Sequence, residues 1–401
     1  MLMMRGRRLL PGLLPMGLAV AAIVSMLAAG GTAPPRAQRG ESGRSGAYHA
    51  PRHRAHVPGA VVAPPSDARD RSLSRMLGQM MVTAFPGPQP STSLLARIQD
   101  GELGGVILFS DNVVGGPLAT SALTRELQSA AARGGNPPLL IMTDQEGGAA
   151  NRLVGPPAVP PARMTTAAQA FDQGIETGRL LREEGINIDL APVADVARTP
   201  ESFLGSRSFG ADAGVVAARA CAFARGLASQ RVAYTLKHFP GLGRAGRSTD
   251  DGPVVVADAA GVLREDYLPY SWCGRGPLAL VMVSSAIYPT LSGSLPAVMS
   301  PEIYRRELPL AVDGARPVTI SDDLESGAIA GQLAPARHAV AAGLDLILYA
   351  ASEKTSADVY EVLLADARAD LIPRSVLEAA NLRIRRLKRR LCRGGCPSQR
   401  S

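Results

Sequence analysis

From Asp67 onward the chain alternates short apolar runs with longer stretches of helical periodicity. The apolar runs are Met80–Phe85, Gly105–Phe109, Pro138–Thr143, Asn187–Val193, Val232–His238, Ala279–Ser284, Pro317–Asp322 and Leu344–Tyr349. They are continuous rather than alternating, as strands buried on both faces require. Helical patterns lie between them, at Ser91–Gln99, Pro117–Arg133, Thr165–Glu184, Ala211–Ser229 and Asp258–Tyr267. Eight strands joined by helical crossovers predict an α/β fold, a (β/α)8 TIM barrel forming a single catalytic domain over residues 67–392. A doubly wound open sheet is the runner-up. No G-x-G-x-x-G follows the first strand, so dinucleotide binding has little support. The last segment, Arg374–Leu391, places Leu377, Ala380, Ile384, Leu387 and Leu391 on one stripe. It reads as a terminal helix packed on the barrel, with Arg and Lys on its solvent face.

The first 66 residues read differently. Arg5, Arg7 and Arg8 precede an apolar segment, Leu9 to Ala29, which ends in small residues. Residues 1–31 therefore read as an export signal. The apolar length is near that of a membrane span, so membrane association through an N-terminal anchor is the alternative to cleavage. Residues 32–66, rich in Pro, Arg and Gly, read as a disordered basic linker, and 393–401 as a tail. We expect an exported protein, extracellular or associated with the cell envelope. Cys221, Cys273, Cys392 and Cys396 permit disulfides there, with pairing left open.

Charge follows the same division. Residues 1–60 hold eight Arg, no Lys and one acid, Glu41, whereas the rest of the chain carries 35 basic and 34 acidic residues. The folded part is near neutral and gives no electrostatic footprint for nucleic acid. Only His238 and His338 fall within the barrel, so no histidine cluster points to a metal. No cofactor is expected.

Barrel enzymes carry their chemistry at the C-terminal ends of the strands. Strand three ends in Asp144-Gln145-Glu146-Gly147-Gly148, with Arg152 soon after. Strand four ends near Asp195, with Arg207 in the next loop. Strand five ends in Lys237-His238 and breaks on Pro240 and Gly241. Strand seven ends in Ser321-Asp322-Asp323-Leu324. Hydroxyl-rich ligands need such fixed polar partners. A strand-end Asp can attack an anomeric carbon if a second group supplies the proton.

These motifs, with Gly104-Gly105-Val106-Ile107-Leu108-Phe109, Ala191-Pro192-Val193-Ala194-Asp195-Val196 and Gly205-Ser206-Arg207-Ser208-Phe209-Gly210, resemble glycoside hydrolase family 3. The similarity is to its single-domain bacterial β-N-acetylhexosaminidases of cell-wall metabolism. The resemblance implies retaining hydrolysis of terminal β-linked N-acetylglucosamine, in peptidoglycan-derived sugars, by a monomer. It assigns Asp322 as nucleophile, and Asp144, Arg152, Arg207, Lys237 and His238 as sugar-binding groups. Asp195 is left as a structural residue.

The departures from the family are local. Leu242 stands where the family carries a second His after Pro-Gly. Matching Gly243 without gaps puts Ser248 at the Asp, and Asp250 at the His, of the family's acid/base dyad. Asp250 and Asp251 are the candidate substitutes. A carboxyl in place of an imidazole must be desolvated to hold a proton near neutrality, and Arg244 and Arg247 nearby would oppose that. A slow or acid-shifted enzyme is one expectation. A barrel that binds amino-sugars or muropeptides without cleaving them is the alternative. Ala149 and Ser285 also depart from the family, which opens a third reading, a glycosidase for another β-hexoside.

Overall fold

The computed structural model describes residues 66–199, 202–332 and 334–392. The expected signal, nearly all of the linker and the tail, Cys396 included, lie outside the described residues. Eight parallel strands form the sheet: β1 (Met81–Thr83), β2 (Gly105–Ile107), β3 (Leu140–Thr143), β4 (Ile188–Asp189), β5 (Ala233–Phe239), β6 (Ala279–Val283), β7 (Val318–Ser321) and β8 (Ile347–Tyr349). β1 pairs with both β2 and β8, and sequential pairing continues through to β7. A bridge between Ile320 and Leu346 closes the ring, with the Leu346 amide donating to the Thr319 carbonyl at 2.9 Å. The (β/α)8 barrel expected from the apolar runs is the fold observed.

Every strand residue is buried, which accounts for the unbroken apolar runs. The strands are shorter than the runs that announce them. β4 is the extreme case: its apolar run continues through Ala191-Pro192, where a prolyl nitrogen cannot donate to the ladder. Pairing resumes only as a bridge between Val193 and Lys237. Four of the helices start on side-chain caps. Ser91 accepts from the Leu94 amide, Thr166 from Gln169, Asp212 from Val215 and Ser352 from Thr355.

Two differences from expectation have simple causes. The stretch Asp258–Tyr267 is not one helix. It forms Ala260–Arg264, one 3₁₀ turn and then Leu268–Cys273, with Pro269 in the first turn of the last piece. The C-terminal helix Arg374–Leu391 buries its apolar stripe, but two of its cations also point inward. Arg383 grips the buried Asp345 carboxylate at 2.7 Å, and Lys388 donates to the Gln79 side chain at 2.7 Å and the Gly104 carbonyl at 3.0 Å. Burial with neutral partners only holds the Lys388 ammonium down at about 7. The helix thus seals the N-terminal end of the barrel with polar as well as apolar contacts.

Cys221, in the helix Ala213–Ser229, and Cys273 form a disulfide across 52 residues of sequence. It ties together the helices that flank β5. Phe239, the last residue of β5, packs against Tyr267 and Tyr270 at centroid distances of 5.2 and 5.1 Å. The strand that ends in Lys237 and His238 is therefore braced from behind.

Replacing both cysteines with Ala is expected to lower the unfolding free energy by about 2–4 kcal/mol, because a loop of this length is then free in the unfolded chain; chemical denaturation measures it. The Lys388 ammonium is disfavoured in the fold but not in the unfolded chain. Unfolding stability should consequently rise as pH increases from about 7 to ~10, where the unfolded lysine also loses its proton. Lys388→Met should abolish that rise, as pH-dependent denaturation curves would reveal.

Candidate active site

The C-terminal ends of the strands surround a cavity of about 360 Å³. Asp144 and Glu146 follow β3, Lys237 and His238 end β5, and Asp322 and Asp323 follow β7; all six line it. Arg152 and Arg207 reach in from loops, and Ser248, Thr249 and Asp250 close one side.

Lys237 lies at the bottom, 2% exposed. Its ammonium is 2.7 Å from Asp144 Oδ1 and 2.7 Å from Glu146 Oε1. A buried ammonium is tolerated only when paired and hydrogen-bonded. Burial alone would depress Lys237; the two carboxylates outweigh it and hold the group above its ordinary value. Glu146 is equally buried, and burial would raise its carboxyl. Lys237 and a bidentate grip by Arg207, at 2.7 and 2.8 Å, instead hold it down at about 2. Arg152 completes the arc, 3.5 Å from Asp144 Oδ2 and stacked over the Phe109 ring at 5.4 Å. Beneath them Asp189 accepts from the Gln145 amide through Oδ1, while Oδ2 finds no partner among the described residues. Burial pushes that carboxyl well above the usual range.

Asp195 shapes the turn after β5. One of its oxygens accepts from the amides of His238 at 3.0 Å and Leu242 at 2.7 Å, and the other lies 2.7 Å from His238 Nδ1. A carboxylate can only accept here, so Nδ1 carries the proton and Nε2 is the ring nitrogen left to act as an acceptor. Gly243 follows because nothing larger fits: a Cβ there would lie 1.9 Å from the Val196 carbonyl oxygen.

The altered loop packs against the segment after β7. The Ala328 amide donates to the Thr249 carbonyl at 2.9 Å and the Gly327 amide to that of Asp250 at 3.3 Å. Ser248 Oγ accepts from the Asp250 amide and donates to Asp250 Oδ2 at 3.0 Å. Ser248 and Asp250 thus form a hydrogen-bonded pair within this loop. Among the described residues Arg244 and Arg247 make no ion pair with these acids. Arg244 is engaged by Asp266 and Asp258, and Arg247 by the Pro253 carbonyl. The two cations expected to crowd Asp250 and Asp251 thus have other partners, which for Arg244 lie outside the loop.

Asp322 is half-buried, and its Oδ1 accepts from the Asp323 amide at 2.9 Å, which leaves Oδ2 without a partner among the described residues. Asp323 accepts from the Glu325 and Ala350 amides. Burial outweighs these bonds and pushes its carboxyl up to about 6. Asp144, Arg152, Arg207, Lys237, His238, Asp250 and Asp322 all reach the one cavity; Asp251 is exposed and is not among its lining residues. Ala149 lines it as well, whereas Ser285 is buried outside it with no hydrogen-bond partner for Oγ among the described residues. Glu146 and Asp323 were not singled out by sequence reasoning. Glu146 was legible, since it is two residues from Asp144 and so falls on the same side of an extended chain.

Comparison with known proteins agrees with this geometry. Residues 72–387 match the family model "Glycosyl hydrolase family 3 N terminal domain". The beta-hexosaminidase LpqI of Mycobacterium tuberculosis is 31% identical over 384 residues, covering 92% of this chain and 95% of its own. Among solved structures, a family 3 beta-N-acetylglucosaminidase from Paenibacillus sp. superposes with a TM-score of 0.75 at 31% identity. The match covers 80% of this chain but 62% of that longer one, so the present chain spans less than two thirds of it. A beta-N-acetylhexosaminidase from Beutenbergia cavernae gives 0.71 at 29% identity, covering 79% of this chain and 98% of that one. The chain belongs to glycosyl hydrolase family 3, and it is a glycosidase of the beta-hexosaminidase type.

Proposed function

We propose that the protein is an exported, monomeric retaining β-N-acetylhexosaminidase that removes terminal N-acetylglucosamine from cell-wall-derived sugars. The observation that carries this reading is a single cavity that holds Asp322, Asp250 and the Lys237-centred ring of charges. Pyranose hydroxyls both donate and accept, so they fit between Asp144 on one side and Lys237, Arg152 and Arg207 on the other. His238, its Nδ1 tied to Asp195, offers Nε2 to a further hydroxyl.

Asp322 Oδ2 attacks the anomeric carbon as the bond to the leaving oxygen breaks, giving a glycosyl-enzyme. Asp250, steered by Ser248, protonates the leaving oxygen and then takes a proton from the water that releases the sugar. Asp250 is preferred to Asp251 because only the former borders the cavity. The disulfide between Cys221 and Cys273 supports export to an oxidising compartment. A fungal relative, 31% identical over 345 residues, carries the description of a secreted glycosyl hydrolase.

With an aryl β-N-acetylglucosaminide as substrate between pH 4 and 8, Asp322→Ala is expected to abolish turnover. Wild-type activity no greater than that of this variant, together with calorimetric binding of N-acetylglucosamine, would favour the non-cleaving alternative. A panel of aryl glycosides tests the choice of hexoside. Asp250→Ala should lower kcat/KM for substrates with poor leaving groups by ~10²–10⁴ and kcat/KM for nitrophenyl substrates far less, since forming the glycosyl-enzyme from these needs little protonation. Equal losses on both would remove Asp250 from the acid/base role. A Cβ at Gly327 would sit 2.6 Å from the Asp250 carbonyl oxygen. Gly327→Ala should therefore shift the Asp250 turn and lower kcat/KM by at least about tenfold while the circular dichroism spectrum stays unchanged.

A further inference from the structure

A second cavity, of about 200 Å³, opens at the opposite end of the barrel, where β6 and β7 begin. Its charged lining is entirely arginine: Arg275, Arg316, Arg383, Arg386 and Arg390. Three of these come from the C-terminal helix. Arg383, Arg386 and Arg390 are spaced i, i+3 and i+7, so one helical face presents a guanidinium at each turn, with Leu387 between them.

Two of the five are already neutralised. Arg383 is bound to Asp345 at 2.7 Å, and Arg275 pairs with Asp313 at 3.1 Å. Among the described residues Arg390 has only the Pro277 carbonyl, at 2.8 Å. Arg316 and Arg386 have no ion-pair or hydrogen-bond partner among the described residues. Three guanidinium groups with no carboxylate partner among the described residues therefore share one small concavity, in a folded domain that is otherwise near electroneutral. Like charges so placed repel one another, and an anion relieves the repulsion.

We propose that this cavity binds a phosphate ester. The groups converge from two sides, Arg316 from the start of β7 and Arg386 and Arg390 from the helix. A planar carboxylate offers two oxygens to one guanidinium fork, whereas a tetrahedral phosphoryl group offers oxygens in several directions and satisfies more than one fork. The cavity is larger than a bare phosphate needs, so it has room for a glycerol- or sugar-sized substituent. The ligand is either a free phosphate ester or the headgroup of an anionic lipid, and both present the same chemistry to the arginines.

The test uses the full-length protein, Arg316→Ala/Arg386→Ala and Arg316→Lys/Arg386→Lys. Glycerol 3-phosphate is titrated by calorimetry at low salt, and sedimentation is measured with phosphatidylcholine vesicles with and without phosphatidylglycerol. The wild type is expected to bind, and both variants to weaken binding by at least about tenfold, because lysine retains charge but loses the fork. Glycosidase activity should be unchanged in both, since these residues lie at the far end of the barrel. Binding of the soluble ester assigns a free ligand. Sedimentation only with phosphatidylglycerol vesicles, lost in both variants, assigns a lipid headgroup. The proposal is overturned if neither probe binds the wild type, or if either variant binds as the wild type does.

Discussion

The site depends on one buried cation. Lys237 has left water at the centre of the barrel, and such a charge persists only where carboxylates meet it directly. Asp144 and Glu146 do so from the end of β3, one strand beyond β4, and Arg207 then balances Glu146 as well. Each member is fixed by the one before it. The result is a floor of alternating charge whose side chains have little freedom to move, which is what preorganised recognition of hydroxyl groups needs. Removing any one member would leave its partners buried with one opposite charge fewer than the site supplies.

The loop that carries Asp250 is held by a different set of forces. Gly243 lets the chain pass against the Val196 carbonyl, and Gly327 admits the Asp250 turn beside the segment after Asp322. Backbone bonds from Gly327 and Ala328 join that turn to the strand end that carries Asp322. The loop that carries Ser248 and Asp250 is therefore attached through its backbone to the Asp322 side of the cavity. In it a serine hydroxyl donates to a carboxylate that borders the cavity.

Much of this was legible in the sequence, for identifiable reasons. Strands buried on both faces leave unbroken apolar runs, so the barrel and the residues at its strand ends could be read directly. The run at Asn187–Val193 overstated β4 because apolarity does not register the missing proline donor. Arg383 and Lys388 lay on what looked like the solvent face of the last helix; their inward turn depends on Asp345, Gln79 and the Gly104 carbonyl, all distant in sequence. The same holds for Arg244, whose partner Asp266 lies beyond the loop, and for the pairing of Cys221 with Cys273. Periodicity reports which side of an element is apolar. It carries no record of which distant polar group completes a buried pair.

The central claim is that Asp322 forms a covalent bond to the sugar, and trapping that bond tests it most directly. An N-acetylglucosaminide with an activated leaving group, incubated with the Asp250→Ala variant, should allow the glycosyl-enzyme to accumulate. Peptide mass spectrometry is then predicted to find one N-acetylglucosaminyl unit on the fragment that contains Asp322. Release of product with no adduct on that fragment, or with the adduct on another residue, would contradict the account.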